Sequence, residues 1–381
     1  MPAPSYRLPL PAFQPRRLIL LLIGLALVAG PTPPPAVAGR PQAPPLPAAG
    51  ASVPQPVSTE LLATPRNVDR VTARKFAVAL YRARAEYGFG TVEFAVLTRD
   101  GLTWSGFDGP RPETPFVIGS VTKTFVAATV LQLAEEGRIG LDDAVSQHLG
   151  RFAPGVTIRQ LLNHTSGIAD LYNPAIRRVL DRWPNGELSP QRILRNAGSR
   201  RFTAGDGYSY SNTNYLLLAM LVERVTGQTL ESEVQARFLD PLAMTDTTML
   251  RGSVQSPRLS AGWASAFWGS GAMTSTARDL VNWGQGLYGT RMHSVQSVRQ
   301  MLRFGDRGYG LGAQRLWIGG RGYPGHSGLL GRDTTLLVWV PEKQVAVAVI
   351  VNRPSSKVDD LLVYRHGDNP SLLRLAMDLA G

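Results

Sequence analysis

Apolar positions along this chain change their period several times, and each change predicts a different element. Val71, Phe76, Ala79 and Leu80 recur at helical spacing up to Tyr87, where Gly88 supplies a stop. The stretch TVEFAVLTRDGLTWSGFD then alternates or runs apolar on both sides of Asp100-Gly101, the pair that most strongly signals a tight hairpin. From about residue 121 to 255 the helical period returns, in VTKTFVAATVLQLAEEG, TIRQLLNHTSG and NYLLLAMLVERVTG. Strand patterns come back late, in GYGLGAQRLWIGG, GYPGHSG and TTLLVWVPEKQVAVAVIVN, with Pro341-Glu342-Lys343-Gln344 as one turn. PSLLRLAMDLAG closes the chain as a helix. Early and late strands around a helical middle predict an α+β fold: an antiparallel sheet flanked by helices, with an all-helical region inserted over 121–255. No internal repeat is visible.

The N-terminus follows another pattern. Arg16 and Arg17 precede an apolar run from Leu18 to Ala29, and Ala36-Val37-Ala38 supplies a small-residue cleavage pattern before Gly39. The run is short of the ~20 residues a spanning helix needs, so residues 1–38 are expected to be a cleaved export signal rather than an anchor. A secreted or cell-envelope location follows. Residues 39–66 are too rich in Pro and Ala to pack and are expected to form a linker, which leaves 67–381 as the folded unit.

Composition narrows the function. The chain has 381 residues, 44% of them hydrophobic, enough for a sizeable core. Net charge is +12, but arginine is dispersed without the basic runs of a nucleic-acid patch, so no nucleic-acid partner is expected. There is no cysteine, hence no disulfide, and the five histidines show no paired ligand spacing, so neither a metal nor another cofactor is expected.

Against this arginine-rich background the only lysines are Lys75, Lys123, Lys343 and Lys357, which makes Lys123, early in an otherwise apolar helix, conspicuous. A cation there faces the positive end of the helix dipole, at a cost of about 0.3 to 1 kcal/mol on an exposed helix, whereas a neutral amine would not. Ser120 lies three residues earlier, on the same helical face, and an amine that accepts its proton would make the hydroxyl nucleophilic. By itself the pair is equally the pattern of a capping serine and a snorkelling lysine. In YSYSNTNY, Tyr210 and Asn212 point the same way if the segment is extended, as a proton shuttle and an amide able to hold an ammonium, or as a turn tyrosine and a helix cap. His326, Ser327 and Gly328 fall on a strand edge that an extended substrate could join.

Together, Ser120-Val121-Thr122-Lys123, Tyr210-Ser211-Asn212 and His326-Ser327-Gly328 resemble the three ordered motifs of the serine penicillin-recognising hydrolases, the group of class C β-lactamases, secreted D-alanyl-D-alanine carboxypeptidases and related esterases. EEGRIGLDDAV, TIRQLLNHTSGI, DPLAMTDT and STARDL are similar to that group's connecting segments, and the likeness runs from about residue 68 to 353. The resemblance implies a β-lactamase-like fold and an acyl-enzyme mechanism. Ser120 would be the nucleophile, Lys123 and Tyr210 would share general-base duty, and the backbone amides of Ser120 and Leu329 would form the oxyanion hole. Asn212 would bridge Lys123 and the substrate amide, with His326, Ser327 and Gly328 along the bound substrate.

His326 stands where the group usually has the lysine of Lys-Thr-Gly, which resembles the carboxypeptidase and esterase branches. The implied function is therefore D-alanyl-D-alanine carboxypeptidase-type hydrolysis of peptidoglycan stem peptides, with a β-lactam or a small ester as alternative substrate, or a catalytically silent penicillin-binding wall protein. A carboxypeptidase needs a cation near the substrate carboxylate, and Arg315, Arg321 and Arg332 are candidates. A monomer is expected, with membrane contact only if the signal stays uncleaved. His164 and Ser166 of HTSG belong to a connecting segment and are given no catalytic part. Gly325–Leu329 nearly spells the G-x-S-x-G elbow of another hydrolase class, but its fifth residue is Leu and no helix follows.

Overall fold

The computed structural model describes residues 66–251 and 256–381. The expected export signal and all but the last residue of the expected linker lie outside the described residues. That last residue is ordered: Arg66–Asn67 form β1 beside the later hairpin, with Arg66 N–H donating to Gly101 O at 2.7 Å. Helix α1 (Arg70–Tyr87) follows, capped by Asp69, whose carboxylate accepts from Val71 N and Thr72 N, and ended by Gly88 in the left-handed region at φ 64°. Strands β2 (Val92–Thr98) and β3 (Leu102–Asp108) form the expected hairpin. The chain then passes through β4 (Phe116–Val117) into α2 (Thr122–Glu135), and after several short helices into α3 (Asn212–Thr226).

Two features depart from an all-helical middle. β5 (Thr248–Met249) lies within 121–255, and it joins β6 (Met273–Ser275) and β4 in a small second sheet of order β4-β6-β5. Helical structure also continues past 255, in Ala261–Ala266 and Trp268–Gly271. Two- and three-residue strands are too short to show a period, so the sequence pattern could not reveal them. Helix α4 (Ala277–Tyr288) leads to β7 (Gln314–Ile318), β8 (Arg321–Leu330), β9 (Asp333–Val340) and β10 (Val345–Val351). Helices α5 (Val358–Val363) and α6 (Leu372–Asp378) complete the chain.

The main sheet has seven strands in the order β1-β3-β2-β10-β9-β8-β7. The early hairpin meets the late strands where β2 pairs with β10, Val92 opposite Val351 and Thr98 opposite Val345. Every pair is antiparallel except β1 with β3. Both faces of β10 are covered, which is why its sequence VAVAVIV runs apolar without alternation. Val345, Val347, Val349 and Val351 share a cluster with Phe76 and Leu80 of α1 and Leu372 of α6. Ala346, Ala348 and Ile350 join the core on the α4 side. There Gly284 of α4 sits so close to Ala346 that an added Cβ would lie 2.9 Å from the Ala346 Cβ. Helix α2 is buried on every side from Thr122 to Leu131, wedged against α3 and the short helix Trp268–Gly271.

Candidate active site

Ser120 sits in a single 3-10 turn, Gly119–Val121, between β4 and α2, and Lys123 is the second residue of the helix. The Lys123 side chain is completely buried, and its Nζ lies 3.0 Å from Ser120 Oγ, 2.8 Å from Asn212 Oδ1 and 2.6 Å from Ser270 O. Burial pulls its pKa down to about 7, against the opposite pull of the Asp170 charge. Ser270 O can only accept. Asn212 also presents an acceptor, because its amide nitrogen donates to Asp170 at 3.2 Å to both carboxylate oxygens. A neutral lysine therefore spends its two hydrogens on Ser270 and Asn212, which leaves its lone pair aimed at the Ser120 hydroxyl.

Tyr210 Oη donates to the same Ser120 Oγ at 2.9 Å. Burial pushes this phenol well above its ordinary range, against a smaller opposing effect of its hydrogen bond to Ser120, so Tyr210 holds its proton at neutral pH. The group nearer to the free base is Lys123, which separates two partners that the sequence left equivalent. Tyr210 is held from behind by His164, the ring centroids 4.2 Å apart. His164 Nδ1 accepts from Ser211 N at 3.2 Å and lies 3.2 Å from Asn214 Nδ2, while Ser166 Oγ donates to Asn214 Oδ1 at 2.7 Å. The HTSG segment thus braces the backbone beside Tyr210.

Strand β8 crosses in front of the Ser120 turn. A Cβ on Gly328 would fall 1.9 Å from Ile118 O, and one on Gly119, already at φ +51°, would fall 2.6 Å from Leu329 N. Two glycines facing each other let the backbone at Ser120 and Leu329 come close, with Ser120 N 3.1 Å from where a Gly328 Cβ would be, the close approach that an oxyanion hole built from these two amides needs. Ser327 is committed elsewhere: its N–H and Oγ donate to Gln314 Oε1 at 2.8 and 2.9 Å.

His326 does not stand where it was expected. It is fully buried and lines neither cavity beside Ser120, because strand alternation turns it to the face opposite Ser327 and Leu329. Its Nε2 lies 2.9 Å from Tyr309 Oη and its Nδ1 2.6 Å from Ser327 O. Burial first, and then Lys123, lowers its pKa to about 3, so it is a neutral brace. Asp170, Ser270, Gln314 and Tyr309 complete the constellation, and no spacing in the sequence singled them out.

Two cavities open from Ser120 and Tyr210. The smaller, about 520 Å³, is lined by Gln314, Leu316, Trp317, Ser327 and Asp359 among others. The larger, about 650 Å³, has Asp170, Asn212, Tyr172, Trp263 and Arg258 on its walls. None of the three arginines proposed for a substrate carboxylate lines either cavity. Arg315 stacks on Phe304 at 4.9 Å, Arg321 pairs with Glu342 at 2.9 Å, and Arg332 is exposed in the β8–β9 turn. Arg258 is already bonded to Thr114 and to Asp333, at 3.2 and 3.3 Å. Among the described residues no group of acidic, histidine or cysteine side chains has a metal-binding arrangement.

The chain is similar to several known proteins. The family model described as Beta-lactamase matches residues 73–367. The D-aminopeptidase of Brucella anthropi is 30% identical over 241 residues, which cover 58% of this chain and 46% of that protein. The chain likewise spans less than two thirds of the other curated relatives it matches first. Among solved structures, a D-stereospecific amidohydrolase from Streptomyces sp. superposes with a TM-score of 0.65 at 28% identity, over 74% of this chain and 94% of the other. A penicillin binding protein from Bacillus halodurans, at 21% identity and a TM-score of 0.61 over 74% and 96% of the two chains, shares the fold.

Proposed function

The chain belongs to the beta-lactamase family, and from that premise we propose that it is a serine hydrolase that opens amide or ester bonds through an acyl-enzyme on Ser120. The observation that carries this reading is the fully buried Lys123 amine 3.0 Å from Ser120 Oγ, its pKa pulled down by burial to about 7. Ser120 Oγ attacks the carbonyl carbon while its proton passes to Lys123 Nζ, and the carbonyl oxygen takes up negative charge between the amides of Ser120 and Leu329. When the bond to the leaving group breaks, that proton returns to the leaving nitrogen or oxygen through the Tyr210 hydroxyl, which gives one proton and receives another. Water then attacks the acyl carbon, passes a proton to the same pair, and frees the acid with Ser120 restored.

Support for a D-amino-acyl group on the acyl side comes from similarity to a D-aminopeptidase and a D-stereospecific amidohydrolase. The carboxypeptidase form of the reaction loses support, because the arginines offered for its carboxylate point elsewhere. A β-lactam or a simple ester would use the same parts. The deciding experiment is a side-by-side assay on D-alaninamide, a D-Ala-D-Ala peptide, a chromogenic cephalosporin and p-nitrophenyl butyrate, with Ser120→Ala as control. Turnover retained in the Ser120→Ala protein overturns the mechanism. Arg16-Arg17, the apolar run to Ala29 and Ala36-Val37-Ala38 support export to the cell envelope, tested by sequencing the N-terminus of the protein recovered outside the cell.

A further inference from the structure

The edge of β8 decides which cavity receives which half of the substrate. Strand β7 pairs with β8 only as far as Gly325, opposite Gln314, so the edge beyond is open. On that edge Ser327 is already occupied: its N–H by the Gln314 side chain and its C=O by His326. Two residues on, Leu329 turns its N–H and C=O to the same side. Its backbone nitrogen lies close against Gly119, beside Ser120, where the proposed mechanism puts the oxyanion. Its C=O, one step nearer Leu330 and Gly331, is placed to accept an N–H from the acyl portion. Leu330 and Gly331 line the larger cavity together with Asn212. The acyl half therefore runs into the larger cavity, and the leaving group runs back past Ser327 into the smaller one.

Among the described residues that line the smaller cavity, Asp359 carries the one formal charge. It is half-buried in the first turn of α5 and makes no hydrogen bond or ion pair with a described residue. Its neighbours on the wall are hydroxyls, an amide and apolar groups such as Leu316 and Val358. A leaving group that carried a carboxylate would meet a like charge and no cation. We propose that Asp359 is a specificity-determining residue that excludes carboxylate-bearing leaving groups, so that this enzyme releases neutral or cationic amines and alcohols from its substrates. This rests on the serine-hydrolase reading above.

The test is a series with one acyl group and three leaving groups: N-acetyl-D-alanyl-glycine, its glycinamide counterpart and its aminoethylamide counterpart. Wild type is expected to show kcat/KM rising from the anionic through the neutral to the cationic member. Asp359→Asn is expected to improve the anionic substrate relative to the neutral one about fivefold, the size of one charge contact in a watery cleft, and Asp359→Lys is expected to reverse the order. A thermal melt and near-UV circular dichroism establish that both variants are folded. A wild-type preference for the glycine leaving group overturns the inference, and so does a preference that Asp359→Lys leaves unmoved, the result expected if this carboxylate serves only the helix end. No turnover of any of the three while p-nitrophenyl butyrate is still hydrolysed overturns this inference and leaves the hydrolase reading standing; no turnover of the ester or a chromogenic cephalosporin either sinks both.

Discussion

The apposed glycines beside Ser120 make the sharpest prediction, because one methyl group tests the oxyanion hole. In a Gly328→Ala protein the new Cβ would start 1.9 Å from Ile118 O, where real Cβ atoms keep at least 3.0 Å. The strand and the Ser120 turn must separate by the difference, 3.0 − 1.9 = 1.1 Å. The same Cβ would lie 3.1 Å from Ser120 N, so the movement falls on the hole itself. Misplacing a reacting group by about 1 Å can cost ~10²-fold in rate, and losing one oxyanion donor is worth about 2.7 to 4 kcal/mol, or ~10²- to 10³-fold in kcat. The variant is therefore expected to lose at least ~10² in kcat on p-nitrophenyl butyrate or D-alaninamide, with KM changed far less. A thermal melt and near-UV circular dichroism establish that the variant is folded. A folded Gly328→Ala protein with kcat within threefold of wild type would refute the assignment of Ser120 and Leu329 amides as the oxyanion donors.

Other expectations follow from the site's protonation and its braces. The pH profile of kcat/KM should show an acid limb near pH 7, falling tenfold per unit below it as Lys123 gains a proton; a flat profile from pH 5 to 8 would count against Lys123 as the base. Asp170→Asn removes the charge that raises the Lys123 pKa, so that limb should move to lower pH, and a move to higher pH would contradict the electrostatic account. Tyr210→Phe retains the ring against His164 but loses the hydroxyl 2.9 Å from Ser120, and should lower kcat by ~10² to 10⁴, measured by steady-state hydrolysis. His164 and His326 have folded pKa values below the ordinary 6.5, so the unfolded chain binds protons that the folded one refuses. Stability should then fall as pH drops from about 6.5 towards 3, with a shallower urea-midpoint slope in His326→Gln, and an unchanged slope would show that His326 is not held neutral.

Much of this was legible along the chain because it is local. The hairpin at Asp100-Gly101, the glycine stop after α1, the turn at 341–344 and the closing helix each rest on residues a few positions apart. So does the spacing of Ser120 and Lys123 across one helical turn. Short elements such as β5, β6 and α5 escaped because two to six residues carry too little periodicity. Asp170 and Ser270 escaped for another reason: they reach Asn212 and Lys123 across 42 and 147 positions of sequence.

The sequence by itself determined which reactive side chains this protein owns, the α+β pattern that carries them, and the one pair close enough along a helix to cooperate. Only the tertiary structure decided which of them touch, that Lys123 rather than Tyr210 is nearer its free-base form, that His326 turns away from the cleft, and that Asp359 is the charged residue among the described residues lining the smaller cavity. The reason is physical: burial and electrostatic fields depend on distance through space, and a chain specifies only distance along itself.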